Sequence, residues 1–310
     1  MTADQHVAVV VVTYNSEGLL AGLLDSLPSG LAGVEWSLTV ADNASTDEGV
    51  ARINQLAPDA TVVQIGRNAG YAAGINAALS AAPPHTAALI LNPDVRLTPG
   101  CVAQLMSVLR SPGVGIAVPR LLDAHGDLIE SMRREPTVLR ALADAVLGAR
   151  RAGRYSLLGE VVTDPREYTV DATTDWAEGS TLLASAECLR RCGPWDESFF
   201  LYSEETEYAL RARDVGLVTR YTPSATAIHL EGSSGSTPGL WALLVVNRVR
   251  LFRRRHGVLS TSLFWACVFA RESSRALLGR RTSRAAARAL VSPVRFREQP
   301  GPHSVTPSQP

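Results

Sequence analysis

The sequence predicts an α/β fold, with a mainly parallel central sheet flanked by helices. Three observations carry that expectation. Val7 to Val12 and Ala87 to Leu91 are unbroken apolar runs, the pattern of strands buried on both faces of a sheet. Between such runs lie stretches with apolar residues at helical spacing, as in Leu19, Leu20, Leu23, Leu24 and Leu27. Strand and helix then alternate, which implies parallel strands joined by crossover helices.

In chain order, Val7 to Val12 is the first strand, and a helix over Ser16 to Leu27 follows, with Ser16 as its expected N-cap. Leu38 to Ala41 is a strand, Thr46 to Leu56 a helix, Thr61 to Ile65 a strand and Ala72 to Ala81 a helix. Ala87 to Leu91, Pro99 to Leu109 and Val114 to Val118 continue as strand, helix, strand. The pattern loosens from Leu121 to Asp175, read as an insertion or mobile loop with a short helix near Pro136 to Gly148. Order resumes with a strand at Thr181 to Ala184, helices from Ala186 and over Glu204 to Val215, and an extended Tyr221 to His229. One α/β domain is therefore expected over 1–239, its half over 1–120 regularly alternating and its half over 121–239 looser in pattern. Beyond it, 240–298 reads as basic amphipathic helices and 299–310 as a disordered tail.

Composition narrows the class. Formal net charge is zero, which gives no reason to expect nucleic acid as a partner. All 30 basic residues are Arg; residues 1–247 hold 17 of them against 28 Asp plus Glu, and residues 248–310 hold 13 against Glu272 and Glu298 alone. A basic segment on an acidic body points to an anionic partner surface. Cys101, Cys188, Cys192 and Cys267 show no zinc spacing and read as isolated reduced thiols. The N-terminus shows no secretory pattern, and the apolar stretch Val258 to Ala270 is shorter than the ~20 residues of a spanning helix. A cytoplasmic protein is expected.

In open α/β sheets ligands bind beyond the carboxyl ends of the strands, so those ends are where chemistry is sought. The first gives Thr13-Tyr14-Asn15-Ser16, without the glycines of a dinucleotide-binding turn. The second gives Asp42-Asn43-Ala44-Ser45-Thr46-Asp47, where Asp42 suits a pyrimidine imide or, equally, an Asx turn. The third gives Asn68-Ala69-Gly70-Tyr71 before a helix N-terminus, a place where backbone can approach phosphate. The fourth gives Asn92-Pro93-Asp94, oxygen donors suited to Mg²⁺ or Mn²⁺ or to a plain Asn-Pro turn. Further on, Glu204-Glu205-Thr206-Glu207 opens a helix beside the apolar Phe199-Phe200-Leu201-Tyr202, a setting that raises a carboxylate pKa toward that of a useful base. His229 ends a strand and precedes Glu231-Gly232-Ser233-Ser234-Gly235.

Taken in order, these segments resemble the family 2 glycosyltransferases of the GT-A fold, particularly bacterial rhamnosyltransferase-like members. The carriers are Val-Val-Thr-Tyr-Asn-Ser at 11–16, Asp-Asn-Ala-Ser-Thr-Asp at 42–47, Asn-Ala-Gly-Tyr-Ala-Ala-Gly-Ile-Asn at 68–76 and Leu-Asn-Pro-Asp at 91–94. Trp-Ala-Glu-Gly-Ser at 176–180, Pro-Trp-Asp-Glu-Ser-Phe-Phe at 194–200, the acidic helix start and His229 complete the series. The resemblance implies that Asp42 binds the base, Thr13 and Asn15 the nucleotide, and Asn68 and Gly70 the ribose and phosphates. Asn92 and Asp94 stand at the metal motif, with Asp94 and His229 as metal ligands. Glu205 aligns with the catalytic base, and Trp176, Gly179, Ser180 and Glu204 with the acceptor side. Implied partners are a dTDP- or UDP-sugar, rhamnose foremost, and a glycan or lipid-linked acceptor in cell-envelope polysaccharide synthesis. One base with a metal implies inversion.

Two departures stand out. The family's Glu-Asp-x-Asp is Glu-Glu-Thr-Glu here, so Glu204 or Glu207 could substitute as base, and one His stands where relatives often show two. Two rival readings remain at this level: a nucleotidyltransferase, and a non-catalytic scaffold derived from a transferase. The basic C-terminal segment, with Phe264, Trp265 and Phe269 among its arginines, is expected to dock on an anionic membrane at the inner face of the plasma membrane.

Overall fold

The computed structural model describes residues 6–230 and 237–305. Glu231-Gly232-Ser233-Ser234-Gly235 lies outside the described residues, as does 306–310. The first half alternates as expected: β1 (His6–Thr13), α1 (Glu17–Gly30), β2 (Glu35–Asp42), α2 (Gly49–Leu56), β3 (Thr61–Gln64), α3 (Tyr71–Ala81) and β4 (Ala87–Leu91). Next come β5 (Val95–Leu97), α4 (Cys101–Leu109) and β6 (Val114–Leu122). The main sheet has the order β3-β2-β1-β4, all parallel, and side-chain alternation along β1 feeds two cores. Val7, Val9 and Val11 pack under α1 and α4, while Val10 and Val12 pack under α3.

Capping near the first strand ends differs from the expectation. Ser16 makes no side-chain cap; Asp47 instead reaches across 30 residues to accept the Glu17 amide at 2.8 Å. Its other oxygen accepts the Gly49 amide at 3.1 Å, so α2 starts at Gly49 rather than Thr46. One aspartate thus serves two helix starts.

The stretch read as a loop is built. It contains β7 (Met132–Arg133), α5 (Val138–Leu147), α6 (Ala149–Ala152) and β8 (Ala172–Thr174). Buried Tyr168 ties it together, accepting the Met132 amide and donating to the Val162 carbonyl. Short strands and turns held by tertiary contacts have no period of their own, so the pattern was invisible in sequence. β9 (Trp176–Ala177) leads into β10 (Thr181–Ser185), which enters the sheet antiparallel between β4 and β6. α7 (Ala186–Cys192) and α8 (Glu204–Asp214) follow, and β11 (Val218–His229) lies between β6 and β5. On α7 the Cys188 and Cys192 sulfurs lie 3.8 Å apart as free thiols, so these two are neighbours rather than isolated.

The C-terminal helices are α9 (Pro238–Arg255), α10 (Val258–Leu277), α11 (Arg281–Leu290) and α12 (Pro293–Arg297). Val245, Val249, Phe252, Phe264, Val268 and Leu290 form a third core, which also takes Ala141 from α5. Phe264 is fully buried, Trp265 and Phe269 pack against that core, and the Trp265 indole donates to the Leu290 carbonyl at 3.0 Å. These aromatics therefore face inward, correcting their expected place at a membrane. Charge asymmetry is partly internal as well: Arg248, Arg254 and Arg255 of α9 pair with Glu160, Asp196 and Asp214 of the acidic body. Residues 301–305 are also built, with Ser304 buried and Val305 against Gly239, so the tail expected from 299 is ordered that far. Among the described residues, no helix is long and apolar enough to cross a membrane.

Candidate functional site

Two groups of polar side chains sit on the carboxyl edge of the parallel strands. At the first, Thr13 ends β1 and donates to Asp42 Oδ1 at 3.1 Å, and both are buried. Ser45 closes an Asx turn on the same carboxylate, its amide at 3.0 Å from Oδ2. Asn15, at φ 50°, accepts the Thr46 amide at 2.8 Å, and its own amide donates to Ser45 Oγ at 2.9 Å. Asn43, outside the sequence expectations, bonds both ways to the third strand end, donating to the Gly70 carbonyl and accepting the Ala69 amide. Asn68 accepts the Gly70 amide at 3.3 Å. Every side chain here has a partner in its neighbour, so the edge is preset.

The second group is set by register. Val95 of β5 pairs with His229 of β11, which places Asp94 beside His229. Asp94 Oδ1 lies 3.3 Å from His229 Nε2, and Glu178 Oε1 lies 2.8 Å from Nδ1. Burial works against charge on this imidazole, but the two carboxylates outweigh it and raise its pKa to about 10. Arg96 braces the Asn92-Pro93-Asp94 turn from below, donating to the Pro93 and Leu19 carbonyls. The Asn92 amide donates to the Ser180 carbonyl at 2.9 Å, joining the turn to the start of β10.

Around this group opens a cavity of about 840 Å³, lined by Asn92, Trp176, Gly179, Ser180, Glu204, Glu205 and His229 among others. Thr13, Asn15, Asp42, Asn68 and Gly70 lie outside its lining, along the neighbouring strand ends, and so does the nearly buried Asp94, beside His229. The site residues expected from sequence thus fall into two adjoining groups rather than one. Glu204 is 2% exposed, whereas Glu205 is half-buried and reaches the cavity. Burial raises both; Glu205 stands at about 7, with the Glu178 charge adding to the shift. Glu207 is taken by Arg211 at 2.8 Å, which removes it as a substitute base. Gly179 makes room: a Cβ there would stand 3.1 Å from that of Glu205.

The turn delivering these carboxylates is strained. Phe200, Tyr202 and Ser203 all have positive φ, at 66°, 68° and 78°. A left-handed conformation costs an ordinary residue roughly 1–2 kcal/mol, and such clusters mark functional corners. The Phe200 carbonyl accepts the Tyr71 amide at 2.8 Å, and a Cβ on Gly70 would fall on that carbonyl oxygen. Gly70 is thus required by close approach of the 200–203 turn to the α3 N-terminus.

Comparison with known proteins fits this geometry. The model of the family described as "Glycosyl transferase family 2" matches residues 8–157. The N-acetylglucosaminyl-diphospho-decaprenol L-rhamnosyltransferase of Mycobacterium tuberculosis is 30% identical over 244 residues, covering 74% of this chain and 78% of that protein. The chain belongs to glycosyl transferase family 2. This glycosyltransferase is also 27% identical over 234 residues to the low-salt glycan biosynthesis hexosyltransferase Agl10 of Haloferax volcanii, covering 74% and 68% of the two chains. Its fold is similar to the mannosyltransferase PcManGT of Pyrobaculum calidifontis, solved with GDP-Man and Mn²⁺, at a TM-score of 0.58 and 18% identity over 95% and 83% of the chains. S. aureus TarS 1–349 with UDP-GlcNAc gives 0.52 at 15% identity, over 92% and 90%. The fold is GT-A.

Sequence reasoning passed over three residues of the glycosyltransferase's cavity wall. Glu178, in the middle of Trp-Ala-Glu-Gly-Ser, pairs with His229. Tyr71 opens α3, and burial together with Glu204, Glu205 and Asp94 raises its hydroxyl pKa. Arg133 lies 5.9 Å from the Trp176 ring centroid. The first two stand inside segments that carried the resemblance, which was the available signal; Arg133 stood in the aperiodic stretch and had none.

Proposed function

We propose that this glycosyltransferase moves a sugar, with inversion, from a nucleoside diphosphate donor to a hydroxyl of a glycan or lipid-linked acceptor, with Glu205 as base. The observation that carries the reading is Glu205 itself. Of the carboxylates lining the cavity, Asp144 and Glu160 pair with Arg271 and Arg248, Glu178 pairs with His229, Glu204 is only 2% exposed, and Glu205 is half-buried with a pKa near neutrality. A carboxylate at about 7 takes a proton effectively at neutral pH. With Glu205 the one half-buried carboxylate of the described lining that no Arg or His pairs, the reading is single displacement. Asp42, Thr13 and Asn15 would hold the base and nucleoside at the preset edge, with Asn68, Gly70 and Asn92 toward ribose and diphosphate. Trp176, Gly179, Ser180 and Glu204 would face the acceptor. Rhamnose is favoured over other sugars by likeness to the mycobacterial rhamnosyltransferase, and a dTDP-sugar over a UDP-sugar by the resemblance of the sequence to rhamnosyltransferase-like members.

The Asp94–His229 corner fits a divalent cation, Mg²⁺ or Mn²⁺. A 6%-exposed carboxylate and an imidazole face each other there, and both are donors to such ions once the cation displaces the imidazole proton. Among the described residues no three His, Cys, Asp or Glu side chains are arranged to hold a metal ion by themselves, so diphosphate and water would complete the shell, as is usual for Mg²⁺. Bound there, the ion would neutralise charge on the departing diphosphate. The chain's own residues orient the reaction: Gly179 clears the path of Glu205, and Trp176 walls the cavity against water.

A division near residue 239 is supported by the separate third core of the C-terminal helices. Peripheral attachment to an anionic membrane is supported by α10. Its charged residues Arg271 and Arg275 turn inward to Asp144, while Leu259, Leu263, Ala266, Ala270 and Leu277 form an outward apolar stripe. Exposed Arg280, Arg281, Arg284 and Arg288 follow it. Leu263→Asp with Leu277→Asp should abolish cosedimentation with phosphatidylglycerol vesicles; unchanged binding would remove this reading. For the catalytic reading, Glu205→Gln should abolish transfer while leaving donor binding intact. Undiminished turnover would overturn it.

A further inference from the structure

The turn that carries Glu204 and Glu205 is held from outside the catalytic body. Asn247 lies mid-way along α9, fully buried, and its amide donates to three successive-turn carbonyls: Phe199 at 2.8 Å, Leu201 at 2.9 Å and Tyr202 at 3.3 Å. Those carbonyls flank the positive-φ residues Phe200, Tyr202 and Ser203. An amide with two N–H groups saturated by three carbonyls holds a backbone conformation rather than a side chain. Seven residues on, and so on the same helix face, Arg254 donates to Ser198 Oγ at 2.6 Å and lies 4.5 Å from the Phe199 ring centroid. Arg254 is partly exposed, and its pairing is worth little; the buried amide decides.

We propose that Asn247 is a positioning residue for the reaction: from the C-terminal helices it clamps the left-handed turn 200–203 and so sets where Glu205 stands in the cavity. The inference rests on Glu205 as base. It goes beyond it by making the C-terminal segment part of the catalytic device. No substitute at position 247 keeps both size and donors. Aspartate keeps the size and presents oxygens to carbonyls; leucine removes donation; glutamine restores the amide on a longer arm.

The test compares Asn247→Asp, Asn247→Leu, Asn247→Gln and Glu205→Gln in the full chain, by steady-state kinetics and hydrogen exchange. Asn247→Asp and Asn247→Leu should each lower kcat by about 10²-fold, the size expected when a reacting group is displaced by an ångström, with donor KM within about threefold. Exchange should accelerate in peptides spanning 199–207 and not in β1 or β4, and Asn247→Gln should recover at least about tenfold of the lost kcat. Should Asn247→Asp fail to fold, Asn247→Ser, which keeps one donor, carries the same readouts. Wild-type kcat in the Asp and Leu variants would overturn the inference, as would acceleration spread evenly over the chain. Full activity in Glu205→Gln with locally faster exchange in Asn247→Asp would instead reject the base assignment and leave the clamp standing.

Discussion

The proposed nucleotide edge and the turn that carries Glu205 lie side by side but are restrained differently. At the edge, side chains on neighbouring strand ends bond to one another: Thr13 and Ser45 to Asp42, Asn15 to Ser45, and Asn43 to the Gly70 backbone. At the turn, three ordinary residues hold left-handed backbone, two adjacent glutamates are desolvated, and the restraint comes from Gly70 and Asn247 far away in sequence. Both regions hold left-handed residues, Asn15 and Ala44 at the edge and three at the turn; the difference lies in burial of charge, since the edge satisfies its carboxylate with hydroxyl and amide donors while the turn buries two adjacent glutamates. Four changes would break or sharpen that contrast.

The largest effect belongs to the turn. Glu205→Gln should lower kcat by about 10² to 10⁴, the usual range for a general base, with donor KM little changed in initial-rate assays. Next comes the corner opposite. Asp94→Ala should cost clearly more kcat than Asn92→Ala in assays titrated with Mn²⁺, because of the two Asp94 alone carries a charge, which faces His229. Equal losses would mean that both positions act by shaping the turn.

Gly70→Ala joins the two regions. A Cβ at φ 94° meets the Phe200 carbonyl, so stability should fall by more than about 1 kcal/mol in urea unfolding, with activity falling alongside. Thr13→Val, by contrast, removes one buried bond at the satisfied edge and should cost about 1 kcal/mol, with donor KM rising and kcat kept. If Thr13→Val proved the more damaging, the contrast would be inverted.

The edge was also the legible part. Val7 to Val12 announced its strand by composition, and Thr13, Asp42 and Asn92 followed because strand ends can be counted off a parallel pattern. Asp42 had two readings, and the structure shows its Asx turn directly, with the nucleotide role resting on resemblance. The turn was legible only in its chemistry: Glu204 and Glu205 beside aromatics signalled burial, whereas left-handed φ at Phe200 leaves no mark on residue type. Asn247, within the arginine-rich α9, looked like one polar residue among many. Its role depends on contacts 45 to 48 residues away, and no local period encodes those.

Glu204 sharpens the energetic side. Its folded pKa is raised by burial and by the Glu205 charge, so its contribution to stability is fully present below the ordinary carboxylate range and is lost as pH rises through the folded value. Glu204→Gln should therefore raise the melting temperature at pH 8 more than at pH 5, in thermal unfolding at the two pH values.

The central claim is that a desolvated Glu205 takes the acceptor proton, and the pH dependence of kcat tests it most directly. Below its pKa the carboxylate is protonated and cannot act, so kcat should fall tenfold per pH unit on an acid limb near 7. Glu205→Gln should abolish that limb along with most of the rate. A limb unchanged in position and slope in Glu205→Gln would contradict the account.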